Sequence, residues 1–145
     1  MNDLVTINRP AQDVFEFVAN HANDKLWKPF VTVSKQISAG AIGTGTQFEV
    51  GMMILNRYFA SNVEIIEYEP YSWYVYKSGA EPFPFVAHLA FASVPSGTAI
   101  RGYIEFQIYG LWSWFAPFVR IFFKSQEKHT FSQLKKVLEN RIQQY

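Results

Sequence analysis

The chain contains no cysteine, which excludes disulfides, thiolate metal sites and cysteine nucleophiles. It also has no charge bias, because thirteen Lys and Arg face twelve Asp and Glu and leave a formal net charge of +1. No global field therefore draws it to nucleic acid or to an anionic membrane. The nearest basic group, Lys124, Lys128, Lys135 and Lys136, is mixed with Glu127 and Glu139 along one predicted helix and reads as a solvated face. Long hydrophobic runs are missing too. Residues 111–123, LWSWFAPFVRIFF, are intensely apolar yet too short to cross a bilayer. The uncharged stretch from Pro82 to Ile100 is broken by Pro84, Pro95 and a Ser-Gly turn. Met1-Asn2-Asp3 does not lead into a positive region and an apolar run, so no secretory signal is expected.

The familiar chemical motifs are equally scarce. GAIGTG at 40–45 lacks both the GxxxxGK[ST] arrangement and the GxGxxG pattern, and it lies between two predicted strands, where glycines serve a turn. No HExxH, close His/Asp/Glu cluster or GxSxG elbow occurs. A metal centre, a cofactor or a serine nucleophile is therefore not expected. The histidines are His21, His88 and His129. His21 falls near a helix end and is expected to be exposed, and His129 sits on the long helix beside Lys128.

What the chain has in abundance is packing material. Of 145 residues, 49% are hydrophobic and 18% aromatic, with 14 Phe, eight Tyr and four Trp. This suits one ordered domain, residues 1–145, with enough aromatic surplus to line a cavity or a contact surface as well as a core. Leu4 to Asn8 alternates as a short strand. Ala11, Val14, Phe15, Val18 and Ala22 keep helical spacing, predicting a helix over 10–20 after Pro10. A second short helix is expected to end before Pro29, with Trp27 as its anchor. The period then changes to two. Strands are predicted at 30–38, 46–54, 57–69, 71–77, 85–94 and 98–109, with a bulge or twist near Ile65-Ile66. Beyond Pro117 about seven helical turns follow. Leu111, Phe115, Phe118, Val119, Phe122, Thr130, Leu134, Leu138 and Ile142 fall on one broad face. Six strands joined by short turns leave no room for crossover helices, so the sheet is expected to be an antiparallel meander. The fold class is α+β: a curved sheet of about seven strands around a long C-terminal helix, with two short helices after the first strand.

INRPAQDVFEFVAN at 7–20, Trp27-Lys28-Pro29, GTGTQF at 43–48, EYEP at 67–70, the alternating strand after Gly97-Thr98 and LKKVLE at 134–139 occur in an order that resembles the polyketide cyclase/dehydrase and lipid-transport superfamily. This is the helix-grip fold shared with steroidogenic-acute-regulatory-related lipid-transfer domains and birch-pollen-allergen proteins. The resemblance implies a cavity between sheet and helix and carriers, cyclases or hydrolases as functions. It carries no catalytic motif onto particular residues.

The candidate cavity wall comprises Tyr58, Tyr74 and Tyr76, whose hydroxyls suit an amphipathic ligand, with His88, Phe106, Phe115, Phe118 and Phe122. His88 shares the parity of Val86 and Ala90; facing inward it is an acid/base, facing outward it bonds a neighbour. Arg101 and Glu105 share one strand face with Tyr103 between them and are weak catalytic candidates on the cavity side, or cross-strand charges on the outer side. The expected function is binding or transport of a small hydrophobic molecule, such as a lipid, a sterol-like compound or an aromatic polyketide, by a cytoplasmic protein. The alternatives are a cyclase or aromatase, in which a tyrosine or His88 assists enolisation or dehydration, and a partner-binding or membrane-peripheral module. The last would use Trp112, Trp114, Phe115 and Phe118 for homodimer or lipid contact.

Overall fold

The computed structural model describes residues 2–79, 84–107, 113, 114 and 116–141. Strand β1 spans Asn2–Ile7, helix α1 spans Ala11–Ala19 and a short 3-10 helix spans His21–Leu26. Strands β2 (Val31–Gln36), β3 (Gln47–Ile54), β4 (Arg57–Glu69), β5 (Trp73–Ser78), β6 (Phe85–Val94) and β7 (Gly97–Phe106) follow, and helix α2 (Ala116–Arg141) comes last. All neighbouring strands are antiparallel, in the order β1-β7-β6-β5-β4-β3-β2. The meander from β2 to β7 is the one expected from the short connections. The docking of β1 onto β7 places the first strand at one edge and β2 at the other. The register of β4 against β5 shifts between Ile65 and Glu67, where the alternation of the sequence falters.

Parity assigns the faces. In β6, Phe85, Ala87, Leu89 and Phe91 are buried whereas Val86, His88 and Ala90 are only half-buried. In β3, Phe48, Val50, Met52 and Ile54 point inward, and Gly51 is covered from the other side by Tyr58, whose hydroxyl would lie 2.3 Å from a Cβ there. At the sheet's edge Gly97 adopts φ +134, and a Cβ would fall 2.0 Å from the Ile7 carbonyl oxygen. Only glycine fits that approach between β7 and β1.

Helix α2 begins with Pro117 in its first turn, where a missing N–H is harmless. Leu134 and Leu138 join the hydrophobic core beneath the sheet, and Val119 and Thr130 are enclosed as well. Its C-terminal half is fastened by polar contacts to the β1–α1 junction. The Asn8 N–H donates to Glu139 Oε2 at 2.9 Å, Lys135 Nζ donates to the Thr6 carbonyl at 3.1 Å, and the Arg9 guanidinium donates to the Glu139 carbonyl. Phe118, expected on the inner face, is instead 54% exposed. At about 100° per residue it sits more than about 100° round the helix from the line of Val119, Phe123, Thr130 and Leu134. Leu111, Trp112, Phe115 and Ile142 lie outside the described residues.

Candidate functional site

The 3-10 helix sets one wall of the site. With about three residues per turn, side chains three apart eclipse one another, so His21, Asp24 and Trp27 share one face. All three are buried, at 0%, 2% and 2% exposure. The helix is held by Asn20, whose Oδ1 accepts from the Ala22 N–H at 3.2 Å, and by Ser34, whose hydroxyl donates to the Ala22 carbonyl at 2.8 Å. The adjoining Lys28 follows inward with the backbone, its N–H donating to the Asp24 carbonyl at 2.9 Å. His21 is thus not the exposed residue expected near a helix end, because a 3-10 turn and not open solvent follows α1.

These residues form a connected polar cluster against two tyrosines from β5. His21 Nδ1 lies 2.9 Å from Asp24 Oδ2, and Lys28 Nζ donates to the same oxygen at 3.1 Å. The Tyr74 hydroxyl is 3.2 Å from His21 Nε2 and donates to the Val18 carbonyl at 3.2 Å. The His21 and Tyr76 rings are 4.3 Å apart, and the Lys28 ammonium lies 5.0 Å from the Trp27 ring centre and 5.6 Å from that of Tyr76. Burial lowers the affinity of His21 for a proton and outweighs the attraction of Asp24. Burial would raise the Asp24 carboxyl, but its interactions with His21 and the Lys28 ammonium, hydrogen bonds from both included, outweigh that and hold it below the usual range. Burial would likewise lower Lys28, and the Asp24 carboxylate overcomes it and keeps the ammonium. Tyr74 is driven well above its ordinary value by burial and neighbouring negative groups, and Tyr76 upward by burial despite Lys28. Near neutrality the cluster is a carboxylate–ammonium pair with a neutral imidazole and two neutral phenols.

The cluster borders a cavity of about 460 Å³ between the concave sheet face and α2. Its apolar walls come from the inward positions of β3, β5, β6 and β7, including Met52, Ala87, Leu89 and Phe106, and from Phe123 and Phe131 of α2. Arg120, Lys124 and Glu127 line the helix side. Phe85, Phe106 and Phe123 pack on one another, with ring centres 5.4 to 6.2 Å apart. Three buried polar atoms have no hydrogen-bond partner among the described residues although their side chains bound this space: Trp27 Nε1, Asp24 Oδ1 and Thr130 Oγ1.

Tyr74, Tyr76 and Phe106 line the cavity; Tyr58, His88, Phe118 and Phe122 are not among its lining residues. His88 occupies the outer sheet face, its ring stacked on Tyr103 at 4.4 Å with 10° between planes. Arg101 and Glu105 are exposed on that same face, across the sheet from the cavity. Tyr58 covers Gly51 on the outside, and Phe122 packs on Phe30 and Phe123 beside the cavity. Sequence reasoning passed over His21, Asp24, Lys28, Thr130 and Phe123. The spacing HxxDxxWK at 21–28 was the available signal, since it presents three residues to one side of a 3-10 turn. Among the described residues no cluster of three or more His, Asp or Glu is placed to hold a metal ion, and no helix is long and apolar enough to cross a membrane.

A curled antiparallel seven-stranded sheet closed by a long C-terminal helix, with a cavity between them, defines a helix-grip protein. The chain belongs to the polyketide cyclase / dehydrase and lipid transport family, whose model matches residues 2–139. Its structure is similar to the Zhui aromatase/cyclase from Streptomyces sp. R1128, with a TM-score of 0.77 at 10% identity over 95% of this chain and 92% of that one. It is also similar to a START superfamily protein from Mycobacterium smegmatis (TM-score 0.72, 11% identity, 94% of each chain) and to Ara h 8.0201 (0.71, 15%, 94% of each). At these identities the likeness shows the fold alone. No curated protein matches the chain in sequence.

Proposed function

We propose that the chain binds a small, largely hydrophobic molecule in the space between the sheet and α2. The observation that carries this reading is the cavity of about 460 Å³, with aromatic and aliphatic walls and polar groups at Asp24 and Lys28 on one side and at Arg120, Lys124, Glu127 and Thr130 on α2. That volume lies within the roughly 300–1,000 Å³ of small-molecule sites. Burying about 300 Å² of apolar ligand surface contributes roughly 7 kcal/mol before ordering and association losses. The family, described as polyketide cyclase / dehydrase and lipid transport, supports a hydrophobic ligand. Titration with N-phenyl-1-naphthylamine, a neutral apolar fluorophore, tests it. Saturable, one-to-one, blue-shifted emission is expected, together with an extra native mass that disappears on denaturation when the protein is purified with its cargo. Emission no greater than that of the unfolded chain, with equal native and denatured masses, overturns it.

A further inference from the structure

Exposure along the cavity lining marks where it opens. Among the described lining residues only four are exposed: Tyr103 and Ile104 in the second half of β7, and Arg120 and Lys124 in the first half of α2. Along the inward positions of β7 the change is abrupt, from Thr98 at 0% and Ile100 at 1% to Ile104 at 43%. The mouth therefore lies between these two segments, with Ile104 on the strand lip and two cations on the helix lip. Four residues apart on a helix, Arg120 and Lys124 stand on one side of it, with Cβ atoms about 5–6 Å apart, so one small group at the mouth can meet both.

The lining charges fall into two groups. Lys28 and Asp24 pair with each other at 3.1 Å and offset one another. On the helix side Arg120 and Lys124 face a single carboxylate, that of the half-buried Glu127 about one turn beyond Lys124, and among the described residues neither cation joins an ion pair. Arg101 and Glu105 belong to the outer face of β7, and Lys128 is exposed and outside the lining. The mouth thus carries positive charge in excess. An ionised group on a ligand would lose its water among Met52, Phe85 and Leu89 at a large cost. At the mouth it stays hydrated and gains two cationic donors, one of them a guanidinium whose planar fork fits a carboxylate. A ligand cation there would meet like charge. We propose that the cavity takes an amphipathic monocarboxylate, its carboxylate held at the mouth by Arg120 and Lys124 and its apolar body inside. The inference rests on the cavity's being the ligand site.

Displacement of N-phenyl-1-naphthylamine at pH 7 by decanoate, decan-1-ol and decylammonium, each below its micellar range, tests it on one chain length. Burial alone ranks the alcohol above the carboxylate, because an ionised group gives up water at greater cost. With the two cations engaged, decanoate should instead bind about tenfold more tightly than decanol, the scale of one charge-assisted hydrogen bond, and decylammonium should be the weakest of the three. The double variant Arg120→Gln/Lys124→Gln should remove the preference while changing fluorophore and decanol affinity less than about twofold. Lys128→Gln, outside the lining, should keep it. Decanoate no tighter than decanol, a preference that survives in the double variant, or one lost equally in Lys128→Gln overturns the carboxylate site although the cavity still binds. Fluorophore that does not bind at all condemns the ligand-site reading beneath it. Circular dichroism on the double variant, whose two positions are exposed, confirms that a lost preference is not a lost fold.

Discussion

At the scale of single residues the buried cluster makes folding sensitive to acid. His21, wholly enclosed and faced by Asp24, Lys28, Tyr74 and Tyr76, holds its proton less tightly than the usual 6.5, because burial outweighs Asp24. In the unfolded chain the imidazole regains its ordinary affinity. As pH falls below about 6.5 the unfolded state therefore takes up a proton that the folded state refuses, and stability drops. Asp24, held below its usual 3.8 mainly by His21 and Lys28 against the opposing effect of burial, adds a further loss only in stronger acid. Thermal melts at pH 7.5, 6.5 and 5.5 should show Tm falling stepwise. His21→Gln, although less stable throughout, should flatten that dependence. A wild-type Tm that stays level or rises toward pH 5.5 would contradict the assignment. Gly97→Ala tests a different residue-scale constraint. With φ +134 and the Ile7 carbonyl 2.0 Å from the added Cβ, it should lower stability in urea by roughly 2 kcal/mol or more, and a neutral effect would refute the close approach. Composition could not reveal either position's environment. His21 looks like a polar residue after an amphipathic helix, and its burial follows only from the three-residue turn that rotates it beneath β5.

At the scale of elements, period made most of the fold legible. The antiparallel pairing of β2 through β7, the irregularity at Ile65 to Glu67 and the long terminal helix all follow from alternation, short turns and helical spacing. Parity separated Ala87 and Leu89 from His88, and Ile100 from Arg101. It could not say which set faces the concave side, because half-buried aromatics and histidines suit either face of a twisted sheet. The pairing of β1 with β7 was also out of reach, being a contact between residues about a hundred positions apart. Helix α2 shows the same limit in one element. A broad apolar arc was visible, but its centre was not: Val119, Leu134 and Leu138 of that arc are enclosed, whereas Phe118 is 54% exposed, beside Ile121 at 66%. Leu134→Ala, at a fully enclosed site, should cost about 2–5 kcal/mol in urea denaturation. Phe118→Ser and Ile121→Ser should each stay within about 0.5 kcal/mol of wild type. The reverse ranking would mean that the helix presents its other side to the sheet.

At the scale of the whole molecule the question is whether the hollow under α2 exists for an occupant or is a packing shortfall. The two cases respond oppositely to being filled. Ala87 projects from the middle of β6 into the cavity and is 2% exposed, so Ala87→Leu adds three carbons to the empty side without touching the Asp24–Lys28 pair. Each newly buried methylene contributes about 0.8 kcal/mol, offset in part by crowding. The unliganded variant should therefore melt at or slightly above the wild-type Tm. Ligand affinity should fall at least about tenfold, since the leucine occupies volume that the bound molecule needs. Ligand-induced stabilisation separates the cases further. At a concentration about a hundred times its Kd, a ligand that binds only the folded state raises stability by roughly 2.7 kcal/mol, so N-phenyl-1-naphthylamine should raise the Tm of the wild type and leave that of Ala87→Leu nearly unmoved at the same concentration. Were both proteins to gain equally, the ligand would be sitting elsewhere. Were Ala87→Leu to lose more than about 2 kcal/mol on its own, the space beside it would already be full and would hold no ligand.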